Sequence, residues 1–240
     1  RQRQMCIRDS INDWRFGEEV IRGFGKKIAQ TGIEIFEVGF IKGETYDPDR
    51  SVFPDTASAA GVIQPKAEGL MYVGMLDMSA PVPLDRIAVC DGSSLDGIRV
   101  IFKKEKIEEA YEYCRRIKEL GYVLFVNFVG TDLYSDKEFI EGIEKFNELQ
   151  PFGVSIVDSF GLIKRKHFLR LVYLADNNLN PNIVLCYHAH NNLQQAMGNA
   201  EALVEMNLKR DICIDACVFG MGLSLIHISE PTRRSNISYA

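Results

Sequence analysis

Apolar positions along the chain fall into two alternating kinds of segment. Residues 16–30 (FGEEVIRGFGKKIAQ) carry apolar side chains at three-to-four spacing, interrupted by two glycines, and predict a helix closed by Thr31-Gly32. Residues 33–41 (IEIFEVGFI), rich in branched and aromatic side chains, predict a strand. Residues 43–68 have little pattern and much Asp, Pro and Ala, so a loop with a short helix is expected there. Beyond them the alternation becomes regular. Strands are expected at 71–76, 98–102, 122–129, 153–157, 182–187 and 212–218, and helices at 104–120, 136–149, 164–178 and 191–206. Residues 104–120 (KEKIEEAYEYCRRIKEL) form the clearest amphipathic pattern, closed by Gly121. Ser135 is placed to cap the helix after it.

Strands that read as continuous apolar runs, separated by helices, indicate an α/β chain whose parallel sheet is covered by helices. Counting seven strands between residues 33 and 218, we expect a (β/α)8 barrel truncated at its first strand and last helix, with an open doubly wound sheet as the alternative. No glycine-rich loop of the dinucleotide or phosphate type follows a strand, and Gly23-x-Gly25 lies inside a helix pattern, so no organic cofactor is expected. A barrel of this kind takes about 250 residues, so 240 residues make one domain. The net charge of -5 gives no footprint for nucleic acid or an anionic membrane. No apolar run is long enough to span a bilayer, and the chain opens on polar and basic residues rather than a signal peptide. Together with six cysteines that form no dense framework, read as reduced thiols, this predicts a cytoplasmic enzyme.

In a barrel, chemistry sits at the C-terminal ends of strands. The polar residues expected there are Glu37, Asn127, Asp158, His188, His190 and Asp215. His188 and His190 are two apart, so they share a strand face and can ligate one ion. Zinc, manganese and iron all accept imidazole beside carboxylate oxygen. The other reading is a pair of hydrogen-bonded histidines at a polar mouth. Asp158 is a candidate for substrate contact or for bracing a loop. Glu37 and Asn127 are candidates for the site or for core hydrogen bonding. Arg99, early in its strand, is placed for a carboxylate partner or an anionic substrate. His167 falls in a helix pattern and is read as a surface residue.

Two resemblances refine this picture. RQRQMCIRDS at residues 1–10 and LSLIHISEPTR at residues 223–233 resemble translated sequencing-library adapters. On that resemblance the barrel domain spans 12–222, and 1–10 and 223–240 are non-native tails that give His227 no role. Between them, Ile35-Phe36-Glu37-Val38-Gly39-Phe40, Ile156-Val157-Asp158-Ser159-Phe160-Gly161, His188-Ala189-His190-Asn191-Asn192 and Ile214-Asp215-Ala216-Cys217-Val218-Phe219-Gly220-Met221-Gly222 resemble the metal-dependent aldolase and lyase barrels of the HMG-CoA lyase and pyruvate carboxyltransferase type. The nearest flavour is 4-hydroxy-2-oxovalerate aldolase. The resemblance implies a divalent metal on His188 and His190, manganese in preference to magnesium on ligand type. It also implies a lyase reaction next to a 2-oxo acid through an enolate that the metal stabilises. An acyl-CoA-dependent condensing synthase or a catalytically silent binding barrel are the alternatives. A homo-oligomer or a dehydrogenase partner would fit the same resemblance. Such barrels place Arg-Asp-Gly on the first strand. Arg8-Asp9-Ser10 imitates it inside the adapter-like string and in an unsuitable register, so this chain is expected to be at best a weak catalyst.

Overall fold

The computed structural model describes residues 13–216 in full and Gln2–Cys6 as backbone. The strands run in chain order as β1 (Gln2–Cys6), β2 (Ile35–Ile41), β3 (Val52–Phe53), β4 (Met71–Asp77), β5 (Gly97–Phe102), β6 (Val123–Phe128), β7 (Gly153–Asp158), β8 (Val184–Ala189) and β9 (Ile212–Ala216). Every pairing is parallel. The order β1-β9-β8-β7-β6-β5-β4-β2 closes through a β1–β2 pairing, which makes an eight-stranded barrel with β3 as a two-residue spur on β2. The parallel α/β barrel expected from the sequence is therefore present. The first-strand position is taken by Gln2–Cys6, which pairs with Ile35–Glu37 on one side and Cys213–Ala216 on the other. Arg8-Asp9-Ser10, the motif at 217–222, His227 and the segment 223–240 lie outside the described residues.

The helices are α1 (Glu18–Ile28), α2 (Thr56–Ile63), α3 (Ile107–Glu119), α4 (Asp136–Asn147), α5 (Arg165–Asn178) and α6 (Ala196–Glu205). Ser135 caps α4 as its sequence position predicts: its hydroxyl accepts from the Glu138 N–H while the Glu138 carboxylate accepts from the Ser135 N–H. In the poorly patterned stretch, Asp55 caps α2 by accepting from the Ser58 N–H at 2.7 Å. The last helix starts at Ala196 rather than 191, because Gln194 sits in the left-handed region (φ 57°). The Asn191 side chain instead accepts from the Ala196 N–H at 3.0 Å.

Strand alternation divides the core in two. Outward positions such as Phe36, Val100, Val126, Phe128, Leu185 and Tyr187 pack under the helices. Phe128 sits among Phe102, Phe139 and Phe146 at ring separations of 5.1, 5.6 and 5.7 Å, which ties β5 and β6 to α4. Inward positions form three tiers. Ile35, Val73, Phe125, Val184, Cys186 and Cys213 make an apolar floor. Glu37, Arg99, Asn127, Ser155, His188 and Asp215 make a polar middle tier, all at most 2% exposed. Phe40, Val52, Met75 and Ile101, with Trp14 and Val129 against them, make an apolar rim at the C-terminal mouth. β2 reaches this rim through a bulge: Glu37 pairs with Val73 and Gly39 with Gly74, so Val38 is the extra residue. Gly39 has φ 152°, and a Cβ there would come within 2.1 Å of the Ser51 carbonyl oxygen, so only glycine lets β3 lie this close.

Candidate metal centre

The polar tier is built by neighbouring strands that each turn alternate residues inward. On β8 these are Val184, Cys186 and His188, with His190 just past the strand. On β9 they are Cys213 and Asp215. The backbone register pairs Cys186 with Cys213, which sets His188 level with Asp215 one step further on. The His188 Nδ1–H donates to Asp215 Oδ2 at 2.7 Å. Asp215 also receives the guanidinium of Arg99: Nη1 binds Oδ2, and Nη2 donates to Oδ1 at 3.2 Å. Arg99 Nε lies 3.3 Å from Glu37 Oε2.

Burial of this group would be strongly unfavourable if the charges were not matched. Burial pushes the Asp215 carboxyl up, but the charge of Arg99 and the hydrogen bond from His188 outweigh it and hold the carboxyl below the usual range. Asp215 is thus an ionised acceptor that fixes the proton of His188 on Nδ1. The lone pair is left on Nε2, which is buried and has no hydrogen-bond partner among the described residues.

His190 is oriented by a different element. Its Nδ1–H donates to the Ser159 carbonyl at 2.6 Å, and its backbone N–H donates to the Asp158 carbonyl at 3.1 Å. Its ring lies 5.4 Å from that of His188, at 88°. Two imidazoles bonded to one ion at about 2.1 Å keep their centroids within roughly 6.5 Å, so the pair is close enough to share a cation. The donor set fits a divalent ion: two imidazoles with proton positions fixed by acceptors behind them, one of them presenting an orphaned buried nitrogen. Among the described residues no third His, Cys, Asp or Glu joins them.

The remaining candidates separate into supports. Asp158 braces the loop after β7, accepting from the Leu162 and Ile163 N–H groups at 2.9 and 3.0 Å. Burial pushes its carboxyl up despite these bonds. That loop carries the Ser159 carbonyl to His190 and is pinned by the Gly130 N–H on Ser159 Oγ at 2.8 Å. Asn127 Oδ1 accepts from the Ser155 hydroxyl at 2.6 Å within the polar tier. Glu37 and Arg99 belong to the ionic group behind His188. His167 is half-buried on α5. Sequence reasoning named the pair and placed Asp215 at a strand end, but it gave no orienting role to the Asp215 carboxylate or to the Ser159 carbonyl. The first had a signal in the alternation of Cys213 and Asp215; the second, a backbone atom, had none.

The fold resembles solved barrels at low identity. The N-terminal domain of a protein from Bacteroides vulgatus described as an aldolase matches with a TM-score of 0.75 at 17% identity, over 95% of this chain and 77% of that one. The HMG-CoA lyase of Brucella melitensis matches at 0.69 and 16%, over 92% and 82%. The carboxyl transferase domain of Rhizobium etli pyruvate carboxylase matches at 0.71 and 15%, over 92% and 40%. None of the curated proteins matches the sequence. The HMGL-like family model matches residues 96–234, which contain Arg99, Asn127, Asp158, both histidines and Asp215. That family includes carbon–carbon lyases, and its enzymes typically depend on a divalent metal. With more than half of its length under that match and its polar tier gathered around His188 and His190, the chain belongs to the HMGL-like family.

Proposed function

We propose that the protein is a metal-dependent lyase of the aldolase type, cleaving or forming a carbon–carbon bond next to a 2-oxo acid as 4-hydroxy-2-oxovalerate aldolase does. The observation that carries this reading is the buried Nε2 of His188, without a hydrogen-bond partner among the described residues, backed by Asp215 and Arg99 and flanked by His190. His188 and His190 would hold the ion, and imidazole ligation favours manganese over magnesium. A divalent ion there would supply Lewis acidity toward the oxygens of a 2-oxo acid.

The chain's own residues prepare the site. Asp215 keeps the His188 proton on Nδ1 and so keeps Nε2 a donor of its lone pair; Ser159 does the same for His190. Arg99 keeps Asp215 ionised. The apolar rim of Phe40, Met75 and Ile101 excludes water from one side of the mouth. The proposed setting is cytoplasmic, with a small-molecule 2-oxo acid as substrate; among the described residues no helix is long and apolar enough to cross a membrane.

Metal analysis after replacement of both His188 and His190 by alanine tests the site: stoichiometric uptake of Mn2+ should disappear, and unchanged uptake would refute it. Pyruvate release from 4-hydroxy-2-oxo acids tests the reaction. Release of CoA from acetyl-CoA plus a 2-oxo acid, with no pyruvate release, would assign a condensing synthase instead. Metal uptake with neither reaction would assign a silent binding barrel.

A further inference from the structure

The segment leading into α1 carries a feature that the metal pair does not use. Asp13 and Trp14 both sit in the left-handed backbone region, with φ of 57° and 54°. That is unfavourable for a bulky aromatic residue, so it has to be held by its surroundings. Arg50 holds it: Nε donates to the Asp13 carbonyl and Nη2 to Asp13 Oδ1, both at 3.0 Å, while Nη1 donates to Glu44 Oε2 at 2.8 Å. The Ser51 N–H donates to the Trp14 carbonyl at 2.8 Å.

The result is an indole fixed on the barrel rim. Its ring meets Phe40 edge-on at 5.8 Å and packs against the cluster of Phe40, Val52, Met75 and Ile101. Lys42 and Arg50 place their cationic groups 5.6 and 5.9 Å from the ring centroid. Yet Trp14 Nε1 is buried and has no hydrogen-bond partner among the described residues. An indole N–H is only a donor, and leaving a buried donor unmade is unfavourable. Two buried polar atoms of the barrel thus have no hydrogen-bond partner among the described residues: a lone pair on His188 of β8 and an N–H on a strap packed against β2. β9 and β1 separate those strands in the barrel.

We propose that Trp14 is a substrate-binding residue, its indole N–H donating to an acceptor oxygen of a 2-oxo acid seated between the apolar rim and the histidine pair. This rests on the reading of that pair given above. It makes the strap before α1 a positioning element of the site, and it accounts for an aromatic residue kept in a strained backbone.

Trp14 is the only tryptophan in the chain, so its emission reports on this position alone. The full 240-residue protein, held at constant Mn2+, is titrated with pyruvate by fluorescence and by calorimetry. A saturable change in Trp14 emission that tracks the calorimetric isotherm is expected. Trp14→Phe keeps a ring against Phe40 and removes the donor. It should weaken pyruvate binding roughly tenfold, while Mn2+ uptake and melting temperature stay at their original values. Calorimetric binding with unchanged Trp14 emission overturns the inference without recourse to a variant, as does equal pyruvate affinity in Trp14→Phe; both leave the metal site standing. Absence of pyruvate binding alongside histidine-dependent Mn2+ uptake overturns this inference and the substrate assignment together.

Discussion

On β2, β4 and β5 the inward side chains nearest the mouth are Phe40, Met75 and Ile101; on β8, just past it and on β9 they are His188, His190 and Asp215. Both halves arise from the same alternation, and both are almost closed to solvent. The apolar half is what a barrel needs for its stability. Behind the other half, the ionic group of the middle tier draws Glu37 from β2 and Arg99 from β5 across to Asp215 and His188, and so places a guanidinium, two carboxylates and an imidazole where apolar side chains of similar volume would serve folding as well or better. A local choice that works against stability marks a place held for function. The contrast teaches that the metal pair is one end of a buried ionic chain from Glu37 through Arg99 and Asp215 to His188.

Breaking the ionic group at its centre should have the largest effect. Arg99→Leu leaves Asp215 and Glu37 without their shared cation and should destabilise the fold by about 3–5 kcal/mol, read as a lowered midpoint in urea unfolding. A midpoint within error of the parent would show that the chain does not depend on Arg99. Asp215→Asn removes the ionised acceptor behind His188 and should weaken Mn2+ binding by about 10- to 100-fold, measured by isothermal titration. Equal affinity would mean that the His188 tautomer is set by another group. On the apolar half, Ile101→Val should cost about 0.5–1.5 kcal/mol of stability and leave Mn2+ affinity as it was; an altered affinity would erase the functional difference between the halves. The smallest effect is expected outside the barrel interior, where Ser135→Ala removes the cap of α4 and should cost about 1 kcal/mol by thermal unfolding, again with no change in metal uptake.

Much of the shell was legible because long amphipathic stretches state their own period. The helix at 104–120 appears as a short 3-10 turn followed by α3, and the strand at 122–129 appears as β6 with one end residue fewer on each side. The His188/His190 pair was legible for the same reason, since two-residue spacing on a strand fixes a common face. Less legible were features that depend on distant partners. β3 is too short to have a pattern and exists because Phe40 and Lys42 donate to Ser51 and Phe53. Nothing around Arg99 announced that its partners would be Asp215, 116 positions later, and Glu37, because side chains on three separate strands meet only once the barrel has closed. The strained strap at Asp13-Trp14 was equally silent: neither residue is a glycine, and Arg50 holds it from 37 positions away.

The bulge in β2 acts as a change of phase. Before it, odd-numbered residues Ile35 and Glu37 face the lumen while Phe36 and Val38 face the helices. After it, Phe40 faces the lumen and Ile41 the helices. One inserted residue thus exchanges the two faces of a strand halfway along its length. Read with an unbroken two-residue rhythm, the sequence would send Ile41 inward and bury Phe40 under the helices, and the ring that Trp14 leans on would be absent from the mouth. The strand carries two messages in different frames, charge recognition below and hydrophobic contact above, and Gly39 is the punctuation between them.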